Sequence, residues 1–252
     1  MILSMKTHEE RSRYLKDLFA GTCFRDVLER NHILNDRSVL EDLLNVISSS
    51  VGSLTNPTRL SNTFRTEKQV FVAPGTIEKY PECFEDAFIL QKAYRYDVKG
   101  RKYISTPLKY YFTDVGLRNV RLNFRQQEEN HIMENVIINE LTTRDYDVDV
   151  GVVVYNHLEK NGKKVRSQME LDFVANKGSS RYYIQSAFSI LDEEKRWQET
   201  EALRRVPDSF REIVVVREDI LPWQDESGIR MEMTDRQGPG NYARSLPVFY
   251  IE

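Results

Sequence analysis

The sequence predicts an α/β fold with an N-terminal helical part, and three observations carry that prediction. Helical periodicity dominates to about residue 88, an aromatic-rich hairpin signal follows, and from about residue 129 helices alternate with apolar strands. The 252 residues suffice for one large domain or two ordinary ones, expected here as a helical domain over 1–125 and an α/β domain over 126–252. Hydrophobic residues make up 40% of the chain, with 13 Tyr and 12 Phe as bulky core material, so disorder is excluded.

Residues 6–31 read as one or two helices: Tyr14, Leu15, Leu18 and Phe19 recur at helical spacing, as do Phe24, Val27 and Leu28 after a break at Gly21. Asp36 or Ser38 is positioned to cap a third helix that buries Leu40, Leu43, Leu44 and Ile47. Short helical stretches follow near Pro57–Phe64 and Gly75–Phe88, the latter with Pro81 in its middle, which should kink or shorten it. AYRYDVKGRKYIS then gives two aromatic arms around Val98-Lys99-Gly100, a β-hairpin signal. Short helices followed by a hairpin describe a winged helix-turn-helix. Residues 112–127 read as a connector. Beyond it come a helix over 129–143, strands near 146–155, 167–176 and 181–188, a helix at 192–205, the strand EIVVVRE and a weaker strand around IRMEMT.

The hairpin carries Lys92, Arg95, Lys99, Arg101 and Lys102 against the single acid Asp97, interleaved with tyrosines. Clustered cations suit phosphate contact even though the whole chain has a net charge of −3. A solvated hairpin is the alternative. The helix before it bears Glu78, Glu82, Glu85 and Asp86 against Lys79 alone, so phosphates on both sides of a major groove would repel it. Contact with DNA therefore falls to the hairpin, and the acidic helix suits a protein partner equally well.

Three segments of the C-terminal half carry candidate chemistry. On a helical wheel of ENHIMENVIINELTTR, Glu134 and Glu140 fall among apolar neighbours, where a carboxylate needs a metal, a cation or a hydrogen-bond network. Along Met169–Val174, alternation sets Glu170 and Asp172 on one face, a plausible half-site for Mg²⁺. In YIQSAF, Gln185 and Ala187 share a face where a two-carboxylate nuclease would offer an acid and a lysine.

These segments, with YLKDLF, RYDVKGRKYISTPLKYYFTDVGLRN and DEEKRW in the same order, resemble the C-terminal region, a domain of unknown function, found after AAA-type ATPase modules in prokaryotes. The resemblance covers roughly 5–235 and implies a winged helix followed by a restriction-endonuclease-like (PD-(D/E)xK) mixed sheet flanked by helices. It implies that Glu134, Asp172 and Gln185 occupy the catalytic positions of a degenerate site, with Ala187 at the lysine position. Glu134, Glu170 and Asp172 would be the metal ligands if Mg were bound. The implied function is a DNA- or partner-recognition module of an ATPase. One alternative is an active metal-dependent nuclease using Glu134 and Asp172, with a basic group supplied by Lys177, Arg181 or Lys195; another is a protein-protein scaffold. No GxxxxGK[ST] occurs, so ATP would enter only through an upstream module.

Composition excludes other classes. No apolar run approaches the roughly 18–20 residues of a membrane helix, and the N-terminus lacks a signal core, so the expected compartment is the cytoplasm. Cys23 and Cys83 are too few for a disulfide framework. His8, His32, His131 and His157 show no metal-ligand spacing, and only His131, three residues before Glu134, neighbours a candidate site.

Overall fold

The computed structural model describes residues 5, 7–33, 37–125, 128–159, 161–217 and 220–233. The chain forms two compact units: Met1–Lys92 with Pro107–Asn135, and Ala93–Thr106 with Val136–Glu252. The units interleave around the hairpin, where the sequence suggests a single cut after residue 125. Among the described residues no helix is long and apolar enough to cross a membrane.

In the first unit, α1 (His8–Leu18) starts with a capping box in which Thr7 accepts from the Glu10 amide and Glu10 accepts from the Thr7 amide. A π-helical turn at Phe19–Cys23 links it to α2 (Phe24–Arg30), so the Gly21 break is a widened turn rather than a gap. The α3 helix (Arg37–Ser49) buries Leu40, Leu43, Leu44 and Ile47, as the periodicity predicts. Of its two expected caps, Asp36 lies outside the described residues and Ser38 sits inside the helix. The α4 helix (Pro57–Thr63) is capped by Asn56, with Pro57 where its missing N–H costs nothing.

The α5 helix (Pro74–Asp86) runs through Pro81 rather than stopping there. An interior proline costs about 3 kcal/mol, but Pro81 is buried in line with Ile77, Tyr80 and Phe84, whose packing offsets that cost. The supposed connector contains α6 (Val115–Arg121), started by Asp114, whose carboxylate accepts the Gly116 and Leu117 amides. From α6 the fully buried Arg118 donates to the Ser48 carbonyl at the end of α3 (3.1 Å).

The sheet is mixed and eight-stranded, built from β1 (Leu90–Asp97), β2 (Lys102–Phe112), β3 (Asp147–Leu158), β4 (Lys164–Lys177), β5 (Ser180–Ala187), β6 (Arg211–Val216), β7 (Trp223–Gln224) and β8 (Arg230–Met233). Its order is β2-β1-β3-β4-β5-β6-β8-β7. Strand β1 pairs in parallel with β3 through Arg95–Asp97, so the hairpin belongs to the sheet rather than standing free. The β3–β4 and β4–β5 pairs are antiparallel; β5–β6 and β6–β8 are parallel. One face buries Val153, Leu171, Val174, Tyr183, Val214, Val216 and Met231 beneath Ile190, Ala202 and Leu203. The bulge between Asp149 and Gly151 brings Leu171 and Val174 to this face together, and a Cβ on Gly151 would lie 2.8 Å from that of Leu171. Two helices complete the set, α7 (Glu129–Thr143) and α8 (Glu193–Thr200).

Candidate functional site

The predicted residues sort into a buried carboxylate in the first unit, a polar clasp in the second, and the cations of the hairpin. Glu134 is buried on α7, and its partners come from β2 and from its own helix. Lys109 Nζ (3.1 Å) and Tyr111 Oη (3.0 Å) donate to Oε2, and His131 Nδ1 lies 3.2 Å from Oε1. Lys109 and Tyr111 are two apart on a strand and so face the same way. Gly52, at φ +72°, closes the cluster: a Cβ there would sit 3.0 Å from His131 Nδ1 and 3.1 Å from Glu134 Oε2. Burial pushes the Glu134 pKa up, but the His131 hydrogen bond and the Lys109 charge outweigh it and hold the carboxyl below its usual range. The same hydrogen bond raises the His131 pKa, against the effect of burial. One residue on, Asn135 accepts from the Phe112 amide (2.9 Å) and donates to its carbonyl (2.6 Å).

The second unit brings Asp172 and Gln185 together where β4 and β5 part. Ladder pairing ends at Phe173–Ile184, and beyond it side chains replace the backbone bonds. Asp172 Oδ2 accepts the Ser186 amide at 2.8 Å, and Gln185 Oε1 accepts the Asp172 amide at 3.4 Å. The other end of Gln185 hydrogen-bonds Glu199 on α8. Burial raises the Glu199 pKa, opposed by the Lys195 charge and by that bond. Ala187 is buried in the apolar core, and Glu170 is exposed. Of the other cations considered, Lys177 donates to the Arg144 carbonyl (2.7 Å). Arg181 is held by Asn176 (2.7 Å) and lies over the Tyr96 and Phe210 rings. Glu140, the other acid among apolar neighbours, pairs with Arg144 (2.5 Å).

Oxygen donors free to converge are what a divalent cation needs. Here the Glu134 carboxylate is taken up by Lys109, Tyr111 and His131, and Asp172 and Gln185 each serve a backbone amide. Among the described residues no three His, Cys, Asp or Glu side chains are placed to hold a metal. The arrangement does not fit Mg²⁺.

The hairpin cations divide in two. Lys92 pairs with Glu85 (2.9 Å) and Arg95 is buried, its Nη2 donating to Gln168 Oε1 (3.3 Å). Lys99, Arg101 and Lys102 at the tip are exposed, and no ion pair ties them to another described residue. Asp97 fixes the turn by accepting the Gly100 amide (2.8 Å). Sequence reasoning passed over Lys109, Tyr111 and Glu199. Their only signals were the i, i+2 spacing in LKYYF and the i, i+4 pair of Lys195 and Glu199.

Residues 2–128 match a domain of unknown function, DUF8612, and the chain belongs to that family. It is also 31% identical over 201 residues to a Haemophilus influenzae (strain ATCC 51907 / DSM 11121 / KW20 / Rd) protein described as an uncharacterized protein. That match covers 80% of this chain and 46% of the relative, so the chain spans about half the relative's length. No solved structure matches the chain.

Proposed function

We propose that this chain is a DNA-recognition module whose second unit has the layout of a nuclease core without its chemistry. The observation that carries the reading is the hairpin tip: three exposed cations, Lys99, Arg101 and Lys102, held on a turn that Asp97 fixes. Unpaired cations on a preset loop give phosphate contact and a salt-dependent affinity. Short helices followed in sequence by this hairpin keep the element order of a winged helix, with hairpin residues 93–106 belonging to the second unit. The loss of catalysis is supported by the clasp: Asp172 and Gln185 serve the backbone, and Ala187 leaves no cation at its strand position. Loss of one preorganised charge-stabilising group costs on the order of 10²–10³ in rate. The attachment to an ATPase rests on the resemblance and on the relative, over half of which lies outside the match.

The test is incubation of the chain with plasmid and labelled duplex DNA in Mg²⁺ or Mn²⁺. The expected result is a shifted but intact duplex, for wild type and for Asp172→Ala alike. Cleavage that Asp172→Ala abolishes would replace this reading with an active nuclease. No shift at low salt would remove DNA from the account and leave the scaffold reading.

A further inference from the structure

Strands β3 and β4 continue past the sheet as a two-stranded ribbon. Pairing runs from Val153–Met169 to Leu158–Lys164, whereas β1 pairs with β3 only as far as Val152 and β5 meets β4 only from Phe173 onward. At about 3.3 Å per residue the ribbon extends roughly 20 Å, and among the described residues no further strand pairs with either edge. Its turn is closed by Glu159 N–H to Lys163 O (2.9 Å) and by Gly162 at φ +79°.

The two faces differ. Val153, Tyr155 and Met169 point to the body of the unit: Val153 and Met169 join its core, and the Arg205 guanidinium covers the Tyr155 ring at 4.2 Å. The opposite face presents Asn156 and Leu158 across from Arg166 and Lys164, with Gln168 further in, all exposed. Lys163 adds a third cation at the turn; of the acids on the described residues nearby, Glu159 accepts from Asn161 (3.1 Å) and exposed Glu170 lies two residues from Gln168 on the same strand face. Buried Arg95 grips one lone pair of the Gln168 carbonyl, which positions that amide and leaves its amino group and second lone pair available.

We infer that this ribbon is a second nucleic-acid surface, one that enters the major groove of duplex DNA; the inference rests on the DNA-recognition reading above. A major groove admits a two-stranded ribbon, Asn and Gln match the adenine edge, and Leu suits a thymine methyl. Lys163, Lys164 and Arg166 would meet the flanking phosphates. Single strands instead require open aromatic faces, and Arg205 covers that of Tyr155.

Binding of labelled duplexes is measured by anisotropy across a NaCl series, with dimethyl sulfate protection reporting guanine N7 in the major groove. K163A/K164A/R166A should flatten the log Kd against log[NaCl] slope by about three and weaken binding at least tenfold at 0.1 M salt. N156A/Q168A should keep the slope and lose discrimination between duplex sequences. All five side chains are exposed, and because Gln168 accepts from buried Arg95, thermal unfolding checks that each variant is folded. Duplex binding by wild type with the same slope and N7 pattern in K163A/K164A/R166A overturns the ribbon and leaves the hairpin reading standing. Equal affinity for single strands without N7 protection also overturns it. Wild type that binds no duplex overturns both.

Discussion

Glu134 reads in the sequence as a carboxylate among apolar helix neighbours, and three partners decide what it does. His131 was visible as a near neighbour; Lys109 and Tyr111 arrive from a strand whose register no helical wheel contains. Removing the charge takes away the carboxylate that pairs with buried Lys109, at 3% side-chain exposure. Glu134→Gln should therefore destabilise by about 3–5 kcal/mol in urea unfolding. The double replacement Glu134→Leu with Lys109→Met should cost less than the single change, because it removes both desolvated charges. His131 gives the site a pH signature. Its folded pKa lies above the unfolded 6.5, so its stabilisation is complete below that value and is lost as pH rises through the folded pKa. His131→Gln should abolish that loss in melts taken above pH 6.5.

Elements were legible wherever one period ran uninterrupted. The buried face of α3, the 129–143 helix and the apolar strands β5 and β6 stand where periodicity puts them. Errors came where a local signal competed. Pro81 argues for a kink or a shorter helix, yet α5 runs on to Asp86, and the Asp114 cap of α6 lies in a stretch that reads as a connector. The β3–β4 ribbon extends beyond its expected ends because Asn161-Gly162 closes a turn that apolar alternation does not register. The Asp172–Gln185 clasp was half legible. The sequence singles out Asp172 and Gln185, but their service to backbone amides depends on where two strands diverge. At Asn135 one amide satisfies both polar backbone groups of Phe112, so Asn135→Ala should cost about 2 kcal/mol by chemical denaturation.

The pH dependence of stability belongs to the whole molecule. Burial and the nearby Asp208 and Asp225 push Glu212 up to about 7, against the pull of Arg204. Burial likewise raises Asp149 and Glu199. A carboxylate with a raised folded pKa favours folding when protonated, so stability falls as pH rises from about 4.5 towards 7. Among the described residues Glu134 runs the other way, its stabilisation being lost as pH falls through its lowered value. Thermal unfolding should therefore show greater stability near pH 5 than near pH 8. Glu212→Gln should flatten that difference by an amount on the order of 1 kcal/mol, since the half-exposed group is screened by solvent.

At the same scale lies the claim that the molecule recognises DNA through exposed cations although its net charge is −3. Its most direct test is the salt dependence of duplex binding for wild type and for K99A/R101A/K102A. Log affinity should fall linearly with log[NaCl] for wild type, with a slope shallower by about three in the variant. Identical slopes for the two proteins would contradict it.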